Sequence, residues 1–344
     1  MHRRARALRL GRITLWFLAP LALLAGVLFW GVNDYNGPGP LAQNKVVVID
    51  KGASLDAISA VLADAGVIDH PRIFALGATL TGKSAELKAG EYEFSARISS
   101  ALAIELLASG KVVRHKLTIH EGLTSAEITA LLASAPALDG KVDPIPAEGS
   151  LLPETYQYLF GERRQDLVAR MAHGMEQALE VAWAYRSAGL PLKTPEQALI
   201  LASIVEKETA RPEERARIAG VYIERLRRGM RLQADPTVAY AVTKGGAVPM
   251  PHPLDRADLA VDSPYNTYLV KGLPPTPIDN PGIASIYAVV NPDDRGELYF
   301  VADGTGGHTF SKSLAEHNQG VTQLRRHKRK PAAKTADKTG AKSP

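Results

Sequence analysis

The stretch from Thr194 to Asp235, TPEQALILASIVEKETARPEERARIAGVYIERLRRGMRLQAD, limits what this chain can fold into more than any other. It opens with a helix start signal. Thr194 is a capping residue, Pro195 suits the first helical turn, and Gln197 completes a Thr-x-x-Gln capping box. Seven of the eight residues 198–205 are apolar, all but Ser203. A helix that is apolar all round is a buried helix, so this segment predicts the centre of a core. The helix then ends in Glu206, Lys207 and Glu208. The helix dipole favours cations at that end, so two carboxylates there run against it. An apolar helix closing in acids is a candidate for a tuned acid.

Glu206 and Glu208 are two positions apart, roughly 200° around the helix, and face different ways. Periodicity does not say which of them enters a cleft. The plainer alternative keeps both as partly solvated helix-end acids, paired with Lys207, Arg211 or Arg215.

IVEKETA, ERARIAGVYIERLRRGMRLQADPTVAY, SPYNTYLVKGLPPTPIDNPG and YFVADGTGGHTFSKSLAEHN together resemble the YceG/MltG family, the endolytic murein transglycosylases. The resemblance runs in order from about Val46 to about Val321. It implies that the first Glu of IVEKE, here Glu206, is the catalytic acid. It also implies a membrane-anchored enzyme that cleaves the bond between N-acetylmuramic acid and N-acetylglucosamine in peptidoglycan strands. Glu206 would protonate the bridging oxygen and then take the proton of the muramic 6-hydroxyl, which closes a 1,6-anhydro ring. Paired carboxylates are the usual glycosidase arrangement, but here the sugar supplies its own nucleophile. The acid must start neutral, and burial in an apolar site favours that form. No cofactor is expected.

The chain divides by composition. Residues 1–12 hold five arginines and no acid, and form a cytoplasmic basic segment. Residues 13–32 are uncharged, with Trp16 and Trp30 near the ends. That length crosses a bilayer core and those positions suit interfacial anchors. The arginines hold the N-terminus inside, which predicts a single-pass type II inner-membrane protein with its catalytic part outside, periplasmic or extracytoplasmic. A cleaved signal peptide is the alternative; no A-x-A-like site follows within NDYNGPGP. Residues 33–44 are a linker. Residues 45–120 alternate strands (45–50, 87–95, 112–120) with short helices from Ser54, Pro71 and Ser99, a small α+β module. By resemblance it is LysM-like, either binding glycan or serving as a spacer. Residues 121–324 form the helix-rich catalytic domain, α+β overall. A long helix is expected over 164–188, another over 212–228 ended by Gly229, and a late hairpin around DGTGG. Residues 325–344 hold eight Lys/Arg and one acid, and read as a basic disordered tail.

The formal charge of +5 therefore hides an asymmetry: +5 at one end and +7 at the other leave −7 for the rest. A nucleic-acid partner calls for a basic stripe on the folded part, so none is expected. Cysteine is absent, which removes disulfides and thiolate metal sites. His308 and His317 stand at no metal-ligand spacing, and neither H-E-x-x-H, a P-loop Lys nor a G-x-S-x-G elbow is present.

Further substrate contacts are sought in the motifs. Gln233 and Asp235 lie in LQADP, with helix capping by Asp235 as the alternative. Tyr265, Asn266 and Tyr268 (PYNTY) offer stacking and hydrogen bonds to sugars, or a loop packed on the core. Glu154 and Tyr156 (EGSLLPETYQY) are cleft candidates by the same resemblance. The expected partners are peptidoglycan strands, the lipid bilayer and, by resemblance, a peptidoglycan synthase of the elongation machinery. The alternative function is a non-catalytic, membrane-anchored wall-binding scaffold in which Glu206 is structural.

Overall fold

The computed structural model of the protein describes residues 20–329. The chain falls into two compact units. One takes the residues up to His115 together with 157–161; the other takes Lys116 to Tyr156 and the chain from Glu162.

In the first unit, strand Lys45–Ile49 pairs antiparallel with Gly90–Phe94, Lys45 opposite Phe94 and Ile49 opposite Gly90. Alternation turns Val47, Ile49, Tyr92 and Phe94 inward, and all four are buried. Helices Leu55–Asp64, Pro71–Leu80 and Ser100–Ser109 supply Leu62, Phe74 and Leu107 to the same core. Their starts follow the sequence signals. Ser54 accepts the Ala57 N–H and Ser99 the Leu102 N–H, each at 3.2 Å. Gly110, at φ 70°, is the left-handed residue that ends the last of them. The third expected strand is shorter than 112–120 and spans His115–Thr118, of which only His115 belongs to this unit.

Residues 20–36 are helical, and apolar side chains from Leu21 to Val32 are exposed, Leu23 and Phe29 among them. Among the described residues no helix is long and apolar enough to cross a membrane. Residues 1–19 lie outside the described residues, including the first part of the apolar run 13–32 and Trp16.

The second unit is built around helix Pro195–Glu208. Residues 198–205 are all buried, Ser203 included, as an all-round apolar helix requires. Helices Arg164–Ala184, Pro212–Arg227 and Ile283–Val290 pack on it. Thr194 Oγ1 accepts the Gln197 N–H at 3.3 Å. The return half of the expected capping box is displaced: the Gln197 amide oxygen accepts from Lys193 N–H at 2.7 Å, one residue earlier than the cap. On the second helix, Ile218, Ala219, Tyr222 and Ile223 face the core. Gly220 lies against the backbone of Asp293, where an added Cβ would stand 2.5 Å from a carbonyl oxygen. Arg217 grips Glu297 through two nitrogens, at 2.8 and 2.6 Å.

The late hairpin pairs Tyr299–Ala302 with His308–Ser311, Tyr299 opposite Ser311. The last helix spans Leu314–Arg329, so residues 325–329 of the expected tail are helical; residues 330–344 lie outside the described residues. The long helix ends at Ala184, four residues before the expected stop.

Candidate active site

The acid-bearing helix stops at Thr209, whose backbone is extended at φ −147°. Pro212 then opens the next helix. The break lets Arg215, in that helix's first turn, face back onto the acids. Its Nη2 donates to Glu206 Oε1 at 3.1 Å and to Glu121 Oε2 at 3.2 Å. The other Glu206 oxygen accepts the Gly282 N–H at 3.0 Å. The Glu206 side chain is 6% exposed, against 43% for Glu121. Lys207 donates to Gly122 O at 3.0 Å. Glu206, Lys207 and Glu208 line one cavity of about 670 Å³ with Glu121, Gly122 and Arg215.

The Gly282 donor is placed by a stapled loop. Ile278 N–H donates to Ser203 Oγ at 3.0 Å, inside the acid helix. Asn280, fully buried, exchanges backbone bonds with Gly122 and Leu123 at 3.0 and 2.9 Å. Its amide nitrogen reaches Leu123 O, Ser125 Oγ and Glu148 Oε1, and its amide oxygen accepts from Leu151 N–H. Two stretches, residues 122–125 and 148–151, are thereby tied to one asparagine. Burial pushes the Glu148 carboxyl up, against the donors Ser125 and Tyr240. Between Ile278 and Asn280 lies Asp279, with no exposure and with neither carboxyl oxygen accepting a hydrogen bond. Burial pushes its carboxyl well above the usual carboxylate range, although the Lys207 ammonium opposes this.

Glu208 looks into a different environment. The buried Tyr222 phenol donates to its Oε1 at 2.5 Å. Burial pushes the Glu208 carboxyl up to about 7; that hydrogen bond opposes the shift and the charge of Asp235 adds to it.

The other candidates divide. Asp235 is not an N-cap. Ala234 holds that position, without a side-chain cap, and Asp235 Oδ1 accepts from the Tyr268 hydroxyl at 2.5 Å. This pair flanks the Glu208 side. Asn266 is fully buried and closes its own loop, donating to Leu259 O and Val261 O at 3.0 and 2.8 Å. That is the packed-loop alternative. Tyr265 lies against Tyr240, ring centroids 4.9 Å apart, and bonds Thr276. Gln233 is exposed at φ 51°. Glu154 is exposed, and its carbonyl accepts from Ile119 N–H at 2.9 Å. None of these six lines the cavity of Glu206. Glu121, Gly282, Asp279 and Asn280 escaped the sequence reading. The buried Asp-Asn pair within a Pro/Gly-rich motif, PIDNPG, was the available signal.

Fold and cavity define a helix-rich α+β protein with buried carboxyls at the end of its central helix. The chain belongs to the YceG-like family, which residues 47–323 match. It is 31% identical over 307 residues to the endolytic murein transglycosylase of Bacillus subtilis (strain 168), covering 79% of this chain and 82% of that one. It is 29% identical over 357 residues to the enzyme of the same name from Streptococcus pneumoniae R6, covering 89% of this chain and 64% of that relative's length. A crystal structure of a yceG-like protein from Listeria monocytogenes superposes with a TM-score of 0.51 at 30% identity, covering 80% of this chain and 98% of the other.

Proposed function

We propose that the protein is a lytic transglycosylase that cleaves peptidoglycan strands internally, between N-acetylmuramic acid and N-acetylglucosamine, leaving 1,6-anhydro ends. The observation that carries this reading is Glu206. It is nearly enclosed, lines a cavity of about 670 Å³ and is fixed by Arg215 and Gly282, in a chain of this family. The protonated Glu206 donates to the bridging oxygen. The carboxylate left behind is stabilised by the guanidinium and the Gly282 N–H, donors already aimed at it. It then takes the proton of the 6-hydroxyl as that oxygen closes the ring, and is ready again. Arg215 also holds Glu121, so its charge stays paired while Glu206 is neutral.

A second reading has a specific observation behind it. Glu208 lines the same cavity, and its carboxyl is pushed up to about 7, close to what a general acid needs at neutral pH. Glu206→Gln and Glu208→Gln decide between them. Mass spectrometry of strands incubated with each detergent-solubilised full-length variant should show anhydro ends from Glu208→Gln and almost none from Glu206→Gln. The reverse result assigns the acid to Glu208. Products from both at the wild-type rate would assign the acid to neither, and no anhydro ends even from the wild type would favour a wall-binding scaffold.

The apolar run 13–32 behind five arginines supports a type II membrane anchor, with both units outside the cytoplasm. The small first unit would position strands, and a peptidoglycan synthase is the partner the resemblance suggests. A reporter that fluoresces only in the cytoplasm, fused after Leu324, should stay dark. A bright signal overturns this topology.

A further inference from the structure

Asp279 has an environment that packing alone does not explain. Its neighbours Ile278 and Asn280 are both tied by hydrogen bonds, yet no N–H or O–H reaches its carboxyl, which is wholly buried. A buried carboxylate without a donor is costly, so the group stands neutral. The charged and titratable groups facing it are Glu206 and Lys207 from the acid helix, Glu148 from the loop before Leu151, Glu127 from helix Ser125–Ser134, and Tyr240 from helix Asp235–Val242. Lys207 is the cation among them.

Asp279 and Glu206 both approach Gly122. The point where a Cβ on Gly122 would stand is 3.6 Å from Glu206 Cγ, 3.8 Å from Asp279 Oδ2 and 3.4 Å from Lys207 Cδ. Glycine leaves that point open. The two carboxyls are held oppositely. Glu206 accepts from a guanidinium and a backbone N–H, contacts that suit an anion. Asp279 accepts from nothing. Yet it is Glu206 that must carry the proton when a strand arrives.

We propose that Asp279 is the proton reserve of Glu206, a buried neutral acid that hands its proton across Gly122 when substrate fills the cavity. This rests on Glu206 being the acid. In the transfer the Asp279 O–H bond breaks and a Glu206 O–H bond forms. The negative charge moves to Asp279, where it faces the Lys207 ammonium, while Arg215 keeps Glu121. During turnover Glu206 gives one proton to the bridging oxygen and takes one from the 6-hydroxyl, so none is consumed. On product release the proton returns to Asp279. Asp279 thus acts through Glu206, as a positioning residue for its proton.

The consequence is a rate that holds across neutral pH, because the proton is carried within the protein. A lone carboxyl loses about tenfold in protonated fraction for each pH unit above its pKa. The test follows anhydro-end formation from pH 5 to 9 by the full-length protein in detergent, for wild type, Asp279→Asn, Asp279→Ala and Glu206→Gln. Both Asp279 variants are checked for folding by circular dichroism. Wild type should stay level through neutral pH. Both Asp279 variants should fall about tenfold per unit over the same range, nearing wild type only at the acid end. If both keep the wild-type pH profile, even at a uniformly lower rate, the proposal fails, since uniform slowing is a packing effect. If those profiles are unchanged while Glu206→Gln is inactive, only the reserve is wrong. If Glu206→Gln still forms product, the assignment of the acid fails and the reserve with it.

Discussion

The two sides of one helix end carry the same chemical group and treat it oppositely. On one side Glu206 meets Arg215 and the Gly282 N–H, both donors, in a cavity shared with the more exposed Glu121. On the other Glu208 meets a buried phenol and the Asp235–Tyr268 pair, and its carboxyl is pushed up to about 7. On the proposed reading, the first side fixes a group whose charge changes during the reaction. The second ties an acid at the cavity's edge to a buried phenol of the core. Position on the helix separates the two residues by only two places. What differs is what packs against each.

The largest expected effect tests the first side. Glu206→Gln keeps shape and hydrogen bonding but removes the transferable proton, and should lower the rate by at least ~10²-fold with the fold intact. Anhydro-end formation at equal folded concentration measures it. A Glu206→Gln rate within a few-fold of wild type would break the comparison.

Next comes Gly282→Ala. The added Cβ would stand 1.9 Å from Glu121 Oε1, so the half-exposed Glu121 must swing away from Arg215. The guanidinium then belongs to Glu206 alone. Activity should fall about tenfold, less than the 10²-fold that a 1 Å misplacement can cost, with little change in melting temperature. A rate equal to wild type would show that the shared guanidinium is dispensable.

The second side is tested through stability. The folded-state value of Glu208, about 7, lies above the ordinary 4.5. Its contribution is therefore fully present below about pH 4.5 and lost as pH rises through about 7, some ~3 kcal/mol at the limit. Glu208→Gln removes this dependence. The melting temperature of wild type should fall relative to that of the variant between pH 5 and pH 8. Parallel curves would mean that Glu208 is not an acid held neutral by the core.

Tyr222→Phe should have the smallest effect. It deletes the phenol donor to Glu208, which holds the shift in check, so the loss of stability with pH should begin at the same pH but continue to higher pH. The cost at pH 5 should be about 1 kcal/mol, the net worth of an ordinary hydrogen bond. Denaturant unfolding at pH 5 and pH 8 reads both.

Much of the second unit is written locally. Thr194 caps, Pro195 begins the helix, the apolar run 198–205 is buried, and DGTGG turns a hairpin, because each needs only neighbours a few residues away. The first unit follows the same logic through Ser54, Ser99 and Gly110. Local signals failed where two neighbours competed. Gln197 was free to bond Lys193 instead of the cap, and Asp235 found Tyr268 before a helix N–H.

By itself, then, the sequence determined the buried helix, its break at Thr209 and the presence of two acids at its end, since caps, proline and apolar periodicity act over a turn or two. Only the tertiary structure decided what each acid is. The Gly282 N–H, the Asn280 staple and the unpartnered Asp279 come from a loop some seventy residues further on, and Glu121 and Gly122 from far upstream. Helical phase states the direction in which a carboxyl points. Its protonation depends on the donors, charges and burial that meet it there, and long-range packing alone brings those together.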